Sequence, residues 1–180
     1  MTDSVLIYGA GAIGRGYLAP LFHMNGLGIS FVDNNSKLVG ELKSRNSYTT
    51  AITGSNDYEF VNIPIHDAFL FGEEINIDDY SLVISCVGPS NCYDLSEDLK
   101  RAKAVILCEN DVGTVNGLQK LTSNSNIYFG IPDVIASNTA PPQLLEKDSL
   151  MTVTEKGELV LEKGNYSLPE EILQVKPEEL

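Results

Sequence analysis

Short continuous apolar runs alternate along this chain with longer stretches in which apolar residues recur every three or four positions. Val5-Leu6-Ile7-Tyr8 is a run of the first kind and leads straight into glycine. It predicts a strand buried on both faces, because a strand with one wet face would alternate apolar with polar residues. Residues 12–24 predict a helix, stopped by Asn25-Gly26, a pair suited to the left-handed backbone that ends helices. Pro20 lies inside it and has no N–H to donate, so a bend or an early end is expected there. Residues 28–33 predict the second strand, and 34–45 the second helix with Asn34 or Asn35 as its cap.

Residues 48–63 have a different character, rich in Thr, Tyr, Val and Ile and broken by Gly54-Ser55-Asn56-Asp57. That pattern predicts a β-hairpin where a crossover helix would normally stand. The strand–helix alternation then resumes, with strands at 81–87, 104–108 and 127–129 and helices near 92–100 and 112–121. Two alternating segments, 151–155 and 158–162, flank Lys156-Gly157 and predict a second hairpin. From Leu168 the chain is acidic, punctuated by proline and without periodicity. The expectation is an α/β fold: a doubly wound, mostly parallel sheet of the Rossmann type with β-hairpin insertions. It occupies residues 1–165, and residues 166–180 form an acidic tail or linker stump.

Composition narrows the classes. At 180 residues, 43% hydrophobic and 21% charged, the chain has the make-up of a globular domain and should bury about 70% of its unfolded surface. Its 25 acidic against 12 basic residues give a net charge of −13, which argues against nucleic acid and anionic membranes as partners. The apolar runs are strand-sized and far short of a membrane span. The N-terminus turns into the first strand without a basic region, so no signal peptide is expected and the protein is read as cytoplasmic. Cys86, Cys92 and Cys108 lack metal-ligand spacing and read as thiols of a reducing compartment. His23 and His66 have no Cys or His at ligand spacing, so no metal is expected.

The chemistry begins at Gly9-Ala10-Gly11-Ala12-Ile13-Gly14, a G-x-G-x-x-G between a strand and a helix. Gly9 permits the tight turn, Gly11 clears the way for a pyrophosphate to approach the backbone, and Gly14 lets helix and strand pack closely. The helix start offers free amides to the phosphates. Asp33 ends the second strand at about the 20-residue spacing of the acid that accepts from the adenosine ribose. A carboxylate there repels a 2′-phosphate, which favours NAD over NADP. The bland alternative is a glycine turn followed by an incidental aspartate; strand, glycines, helix, strand and acid standing in register favour the dinucleotide. Val87-Gly88-Pro89 follows a strand on the same sheet edge and is read either as a cofactor-lining turn or as a plain strand-to-helix turn. Asn110, in Cys108-Glu109-Asn110, either polarises a reacting oxygen or caps the next helix.

Taken together, the extended Gly9-Ala10-Gly11-Ala12-Ile13-Gly14-Arg15-Gly16, Val32-Asp33, Ser47-Tyr48, Val87-Gly88-Pro89, Cys108-Glu109-Asn110 and Pro141-Pro142 follow a known order and spacing. The chain resembles the N-terminal half of the polyol-specific long-chain dehydrogenases, the mannitol dehydrogenase and mannitol-1-phosphate 5-dehydrogenase family. The resemblance implies that Gly9, Ala10, Gly11, Ala12, Ile13 and Gly14 cradle the NAD pyrophosphate. It places Asp33, with Asn34 beside it, on the ribose, and Val87, Gly88 and Pro89 along the nicotinamide. Asn110 becomes the active-site asparagine, which displaces its reading as a cap.

Two departures stand against the family pattern. The catalytic Lys-x4-Asn-x2-His of the helical C-terminal domain is absent, because the residues three before His23 and His66 are Pro20 and Ile63. Where the family carries Asp-Arg ahead of the paired prolines, this chain has Ser137-Asn138. The expected function is therefore the NAD-binding part of an oxidoreductase that moves a hydride between NAD(H) and a polyol or sugar phosphate, such as mannitol 1-phosphate or fructose 6-phosphate. Its catalytic base would come from a helical domain or a partner chain, and Ser137 and Asn138 leave room for a changed substrate. The alternative is a stand-alone NAD(H)-binding sensor or partner subunit that performs no chemistry.

Overall fold

The computed structural model describes residues 3–109, 111–137, 139–166 and Leu168. Its centre is a seven-stranded sheet in the order β11-β8-β7-β6-β1-β2-β5. β1 (Ser4–Tyr8), β2 (Gly28–Asp33), β5 (Asp67–Leu70), β6 (Leu82–Ser85), β7 (Val105–Leu107) and β8 (Ile127–Asp133) run parallel, and β11 (Glu158–Leu161) returns antiparallel to β8. Both faces of β1 are buried, as its unbroken apolar run predicts. Val5 and Ile7 join a core with Phe22, Phe31 and Leu42, while Leu6 and Tyr8 join a second with Leu99 and Leu118.

The helices between strands are short. α2 (Ser36–Arg45) is capped by Asn35, whose side chain accepts from Leu38 N–H at 3.1 Å. The helix expected near 92–100 starts earlier, with Pro89 in its first turn, and is broken into α3 (Pro89–Cys92) and α4 (Ser96–Leu99). Proline suits a first turn, where its missing N–H has no helical partner to lose. α5 (Val112–Thr122) is capped by Asp111, which accepts from Gly113 N–H at 2.9 Å. The cap position that the spacing left open for Asn110 is thus filled by its neighbour.

The glycine turn leads into a helical segment whose Gly14–Leu18 stretch is a π-helical turn, and α1 (Ala19–Met24) continues it. Pro20 explains the widening: it cannot donate to Gly16, and its ring would crowd that carbonyl in a tight α-turn. The carbonyls released by the wider turn are taken up from elsewhere. The Tyr48 hydroxyl donates to the Arg15 carbonyl at 2.7 Å, and the Thr154 hydroxyl donates to that of Gly16 at 3.1 Å.

Tyr48 and Thr154 belong to a second, four-stranded sheet, ordered β4-β3-β10-β9. β3 (Ser47–Thr53) and β4 (Tyr58–Pro64) form the expected antiparallel hairpin. β10 (Val153–Thr154) pairs parallel to β3 and antiparallel to β9 (Ala136–Ser137), and α6 (Pro142–Lys147) links the last two. The sheet leans on the main core through Tyr48, whose ring is tilted on Phe31 at 6.0 Å.

Two expectations are corrected. Segments 151–155 and 158–162 do not pair with each other: β10 joins the small sheet and β11 the large one. Their Lys156-Gly157 link is pressed against Asp133 and Val134 at the end of β8, so the chain crosses between sheets there. β5 carries no pattern that marks it as a strand in the sequence, yet it extends the parallel sheet beyond β2. Residues 167 and 169–180, most of the expected tail, lie outside the described residues.

The small sheet is anchored by Asp148, 6% exposed at the end of α6. Its carboxylate accepts from Arg45 at 2.7 Å, Thr49 N–H at 2.7 Å and Leu150 N–H at 2.8 Å. Burial alone would raise the Asp148 carboxyl, but the guanidinium and the two amides outweigh it and hold it below the usual aspartate range. Asp148→Ala should therefore destabilise the chain by about 1.5–3 kcal/mol at neutral pH. A lowered folded-state pKa contributes stability above the ordinary aspartate value and loses it as pH falls through the folded one. Urea denaturation at a series of pH values should show parent and variant converging in acid, and a gap that widens in acid would disprove the anchor.

Candidate functional site: a cleft at the sheet's switch point

The chain leaves β1 for β2 and β5 on one side, then returns to build β6, β7 and β8 on the other. At such a reversal the loops diverge and a crevice opens beyond the strand ends. Here it is a cavity of about 320 Å³, lined from the β1 end by Gly9 and Gly11, from the β2 end by Asp33 and Asn34, and from the β6 end by Cys86 and Val87.

The glycine turn is tightly built. Gly9 has φ +99°, and its N–H donates to the Val32 carbonyl at 2.8 Å. A Cβ on Gly9 would also lie 3.1 Å from both the carbonyl oxygen and the sulfur of Cys86. A Cβ on Gly14 would run into the Gly9 carbonyl, so helix and strand meet as closely as the motif predicts. Asp33 Oδ2 accepts the Ala10 N–H at 2.8 Å, and Oδ1 accepts that of Asn35 at 2.9 Å. The carboxylate keeps further lone pairs for ligand hydroxyls. Behind the turn, Arg15 is 8% exposed; it donates to the Ala10 carbonyl and, at 3.3 Å, to that of Leu150.

On the opposite wall, Gly88 has φ +97° and Pro89 opens α3. Asn91 latches the turn, its side chain donating to the Val87 carbonyl at 2.9 Å. Beneath lies Glu109, which the spacing did not single out. Only 3% exposed, it accepts from Ser85, Val87 N–H and Cys92. Burial pushes its carboxyl above the usual range, although the hydrogen bonds pull the other way.

Gly9, Gly11, Asp33, Asn34 and Val87 therefore converge on one cleft. Ala10 is fully buried within the turn, Ala12 and Ile13 are half-buried at the helix start, and Gly88 and Pro89 continue the turn from Val87. Asn110 and Asn138 lie outside the described residues. Ser137 is exposed on β9, bonded to Thr139 at 3.0 Å, and does not line the cleft. Neither His23 nor His66 lines it, and no metal-holding cluster occurs among the described residues. Phe71 was missed: it lines the cleft from the end of β5, its N–H bonded to the Asp33 carbonyl at 2.9 Å. No helix among the described residues is long and apolar enough to cross a membrane.

Comparison with known proteins follows the same outline. The family model described as the mannitol dehydrogenase Rossmann domain matches residues 3–175. Mannitol-1-phosphate 5-dehydrogenase of Bacillus velezensis is 26% identical over 94% of this chain and 51% of its own length. The Lactiplantibacillus plantarum enzyme of the same name is 27% identical over 90% and 49%. The chain thus spans about half the length of the curated relatives it matches. Among solved structures, D-mandelate dehydrogenase with NADH and anilino(oxo)acetate aligns with a TM-score of 0.67 at 19% identity, over 88% of this chain and 47% of its own. Yersinopine dehydrogenase with NADP+ aligns with a TM-score of 0.68 at 14% identity, over 89% and 41%. At such identities the likeness is one of fold.

The tight contact between the glycine turn and the helix that follows it is testable without a ligand. Gly14→Ala forces a methyl group against the Gly9 carbonyl and should cost about 1–3 kcal/mol in stability. Chemical denaturation measures it, and an unchanged midpoint would show that the helix stands further from the strand than described.

Proposed function

The chain belongs to the mannitol dehydrogenase family, whose Rossmann domain it carries, and from that premise we propose that it binds NAD(H) for hydride transfer to or from a polyol or sugar phosphate of the mannitol 1-phosphate or fructose 6-phosphate kind. The observation that carries this reading is Asp33. Its carboxylate stands at the end of β2 within the cleft and is fixed by the Ala10 N–H of the glycine turn. Ribose hydroxyls and diphosphate are thereby offered neighbouring, oppositely suited partners.

In this reading Gly9, Ala10, Gly11, Ala12, Ile13 and Gly14 hold the diphosphate through backbone N–H groups and the helix start. Asp33 accepts from the ribose, with Asn34 at the rim, and Phe71 gives the adenine an apolar surface. Val87, Gly88 and Pro89 receive the nicotinamide, and Asn110 donates to the oxygen whose charge changes during transfer. The cofactor supplies the site that takes the hydride from the carbinol carbon or returns it to the ketone. The hydroxyl proton must leave to a base within hydrogen-bond reach. The family's lysine pattern is absent from this sequence, so that base belongs to a helical domain or a partner chain. Within the chain, residues 1–165 serve as the cofactor domain and 166–180 as its tail, working in the cytoplasm. A second reading, a NAD(H)-binding sensor or subunit without chemistry of its own, rests on the same cleft. Supplying a lysine-bearing helical domain separates the two.

Two outcomes test the proposal. NADH should bind more tightly than NADPH, and Asp33→Ala should narrow the gap, since losing a hydrogen bond to a charged group costs about 1.5–3 kcal/mol. Calorimetry with both cofactors measures this, and equal affinities in the parent chain would sink the role given to Asp33. Alone, the 180-residue chain should bind NADH yet turn over neither mannitol 1-phosphate, fructose 6-phosphate nor free polyols, the missing base alone costing about 10²–10⁴-fold. Robust turnover, followed by NADH absorbance, would place the base among these residues.

A further inference from the structure

The proposed reaction leaves Glu109 without a task, although a carboxylate is costly to bury. Its position is specific. Glu109 follows β7, and its Oε1 receives the Val87 N–H at 3.1 Å, the Ser85 hydroxyl at 3.2 Å and the Cys92 thiol at 3.0 Å. One side chain therefore ties together the end of β6, the turn after it and the last residue of α3. Packing alone does not require a charge here, since an apolar residue would fill the space between two strand ends.

The direction of these bonds has a consequence for the cleft. In a trans peptide the N–H and the preceding C=O point opposite ways. Drawing the Val87 N–H inward thus turns the Cys86 carbonyl outward, towards the glycine turn. The same orientation is visible from the other wall, where a Cβ on Gly9 would lie 3.1 Å from that carbonyl oxygen. Cys86 and Val87 both line the cavity. Gly88 continues the turn with a φ of 97°, a geometry that L side chains resist.

We propose that Glu109 is a positioning residue: by holding the Val87 amide it sets the backbone that receives the nicotinamide half of the dinucleotide. This rests on the NAD(H) reading above. The adenosine half, held from the β1 and β2 ends, should be indifferent to Glu109. Protonation of the carboxyl would set a donor among the Val87 amide, the Ser85 hydroxyl and the Cys92 thiol that now donate to it. The ionisable groups facing it are thiols: Cys86 on the turn, Cys92 on α3 and Cys108 after β7. All three are pushed up by burial and stay neutral near pH 7, and Glu109 forms no ion pair among the described residues. Burial raises its own carboxyl, so the nicotinamide contribution should fade as pH drops, before ordinary carboxylates titrate.

The test compares NADH with ADP-ribose, which has the same adenosine and diphosphate without the nicotinamide, by calorimetry between about pH 5 and 8. In the parent chain, the preference for NADH over ADP-ribose should shrink as pH falls. In Glu109→Leu it should drop about tenfold at neutral pH and lose its pH dependence, with Glu109→Gln in between. ADP-ribose affinity should stay within about twofold of the parent throughout. Equal weakening of both ligands, or an unchanged preference, would overturn the proposal. The parent's pH profile decides the matter even if the leucine variant does not fold. Failure of the parent to bind ADP-ribose at all would instead refute the NAD(H) reading itself.

Discussion

Ala10 is held from both sides: its N–H by the Asp33 carboxylate at 2.8 Å and its carbonyl by the buried Arg15 guanidinium. A turn that must present its backbone to a ligand cannot satisfy those groups through a ladder or a helix, so side chains have to hold it. Asp33 closes the turn from β2, and Arg15 closes it from the helix that follows. Because the peptide between Ala10 and Gly11 is planar, fixing the Ala10 carbonyl inward directs the Gly11 N–H outward, to the cavity that Gly11 lines. The same logic recurs across the cleft, where Glu109 draws the Val87 N–H inward and faces the Cys86 carbonyl outward. The two walls are built alike, each from a buried charge behind a glycine-containing turn.

This arrangement makes the second sheet part of the cleft without giving it a residue there. Arg15 reaches back to the Leu150 carbonyl, its own carbonyl accepts from Tyr48, and the Gly16 carbonyl accepts from Thr154. The π-helical turn that exposes those carbonyls exists because Pro20 rules out a regular helix. An apparent defect in the first helix is thus the joint by which the small sheet grips the glycine turn. Asp148, which pins α2 to that sheet through Arg45 and Thr49, supports the cleft at one further remove.

What was legible in the sequence is what is local. Val5-Leu6-Ile7-Tyr8 and the glycine motif carry their meaning within a few residues, and Asp33 adds a fixed spacing to them; the structure puts Gly9, Gly11 and Asp33 on one cleft. β5 was not legible because Ala68 is its one fully buried residue, too little for a periodic pattern; β2 recruits it through hydrogen bonds. The alternation of β10 and β11 was visible, but alternation says which face is buried and nothing about the partner strand. Glu109 was hidden for the same reason. A glutamate at the end of a strand looks solvated until the fold closes Ser85, Val87 and Cys92 around it. The role of Asn110 rests on the family resemblance, since its placement lies outside the described residues.

A chain of net charge −13 that takes a diphosphate must solve the repulsion locally. Screening limits distant charges to about 8 Å at physiological ionic strength, so the immediate walls decide. At the glycine turn those walls are backbone amides, a helix start and the buried Arg15 behind them. At the β2 end and along the segment after α3 they are carboxylates, Asp33 and Asp94, both lining the cavity. β1 lies between β6 and β2, so the glycine turn stands between these two carboxylates: the middle of the cleft is receptive to anions and its flanks to hydroxyl donors. In the proposed NAD(H) reading free ribose hydroxyls suit the Asp33 flank, whereas a 2′-phosphate would set its extra charge against that carboxylate.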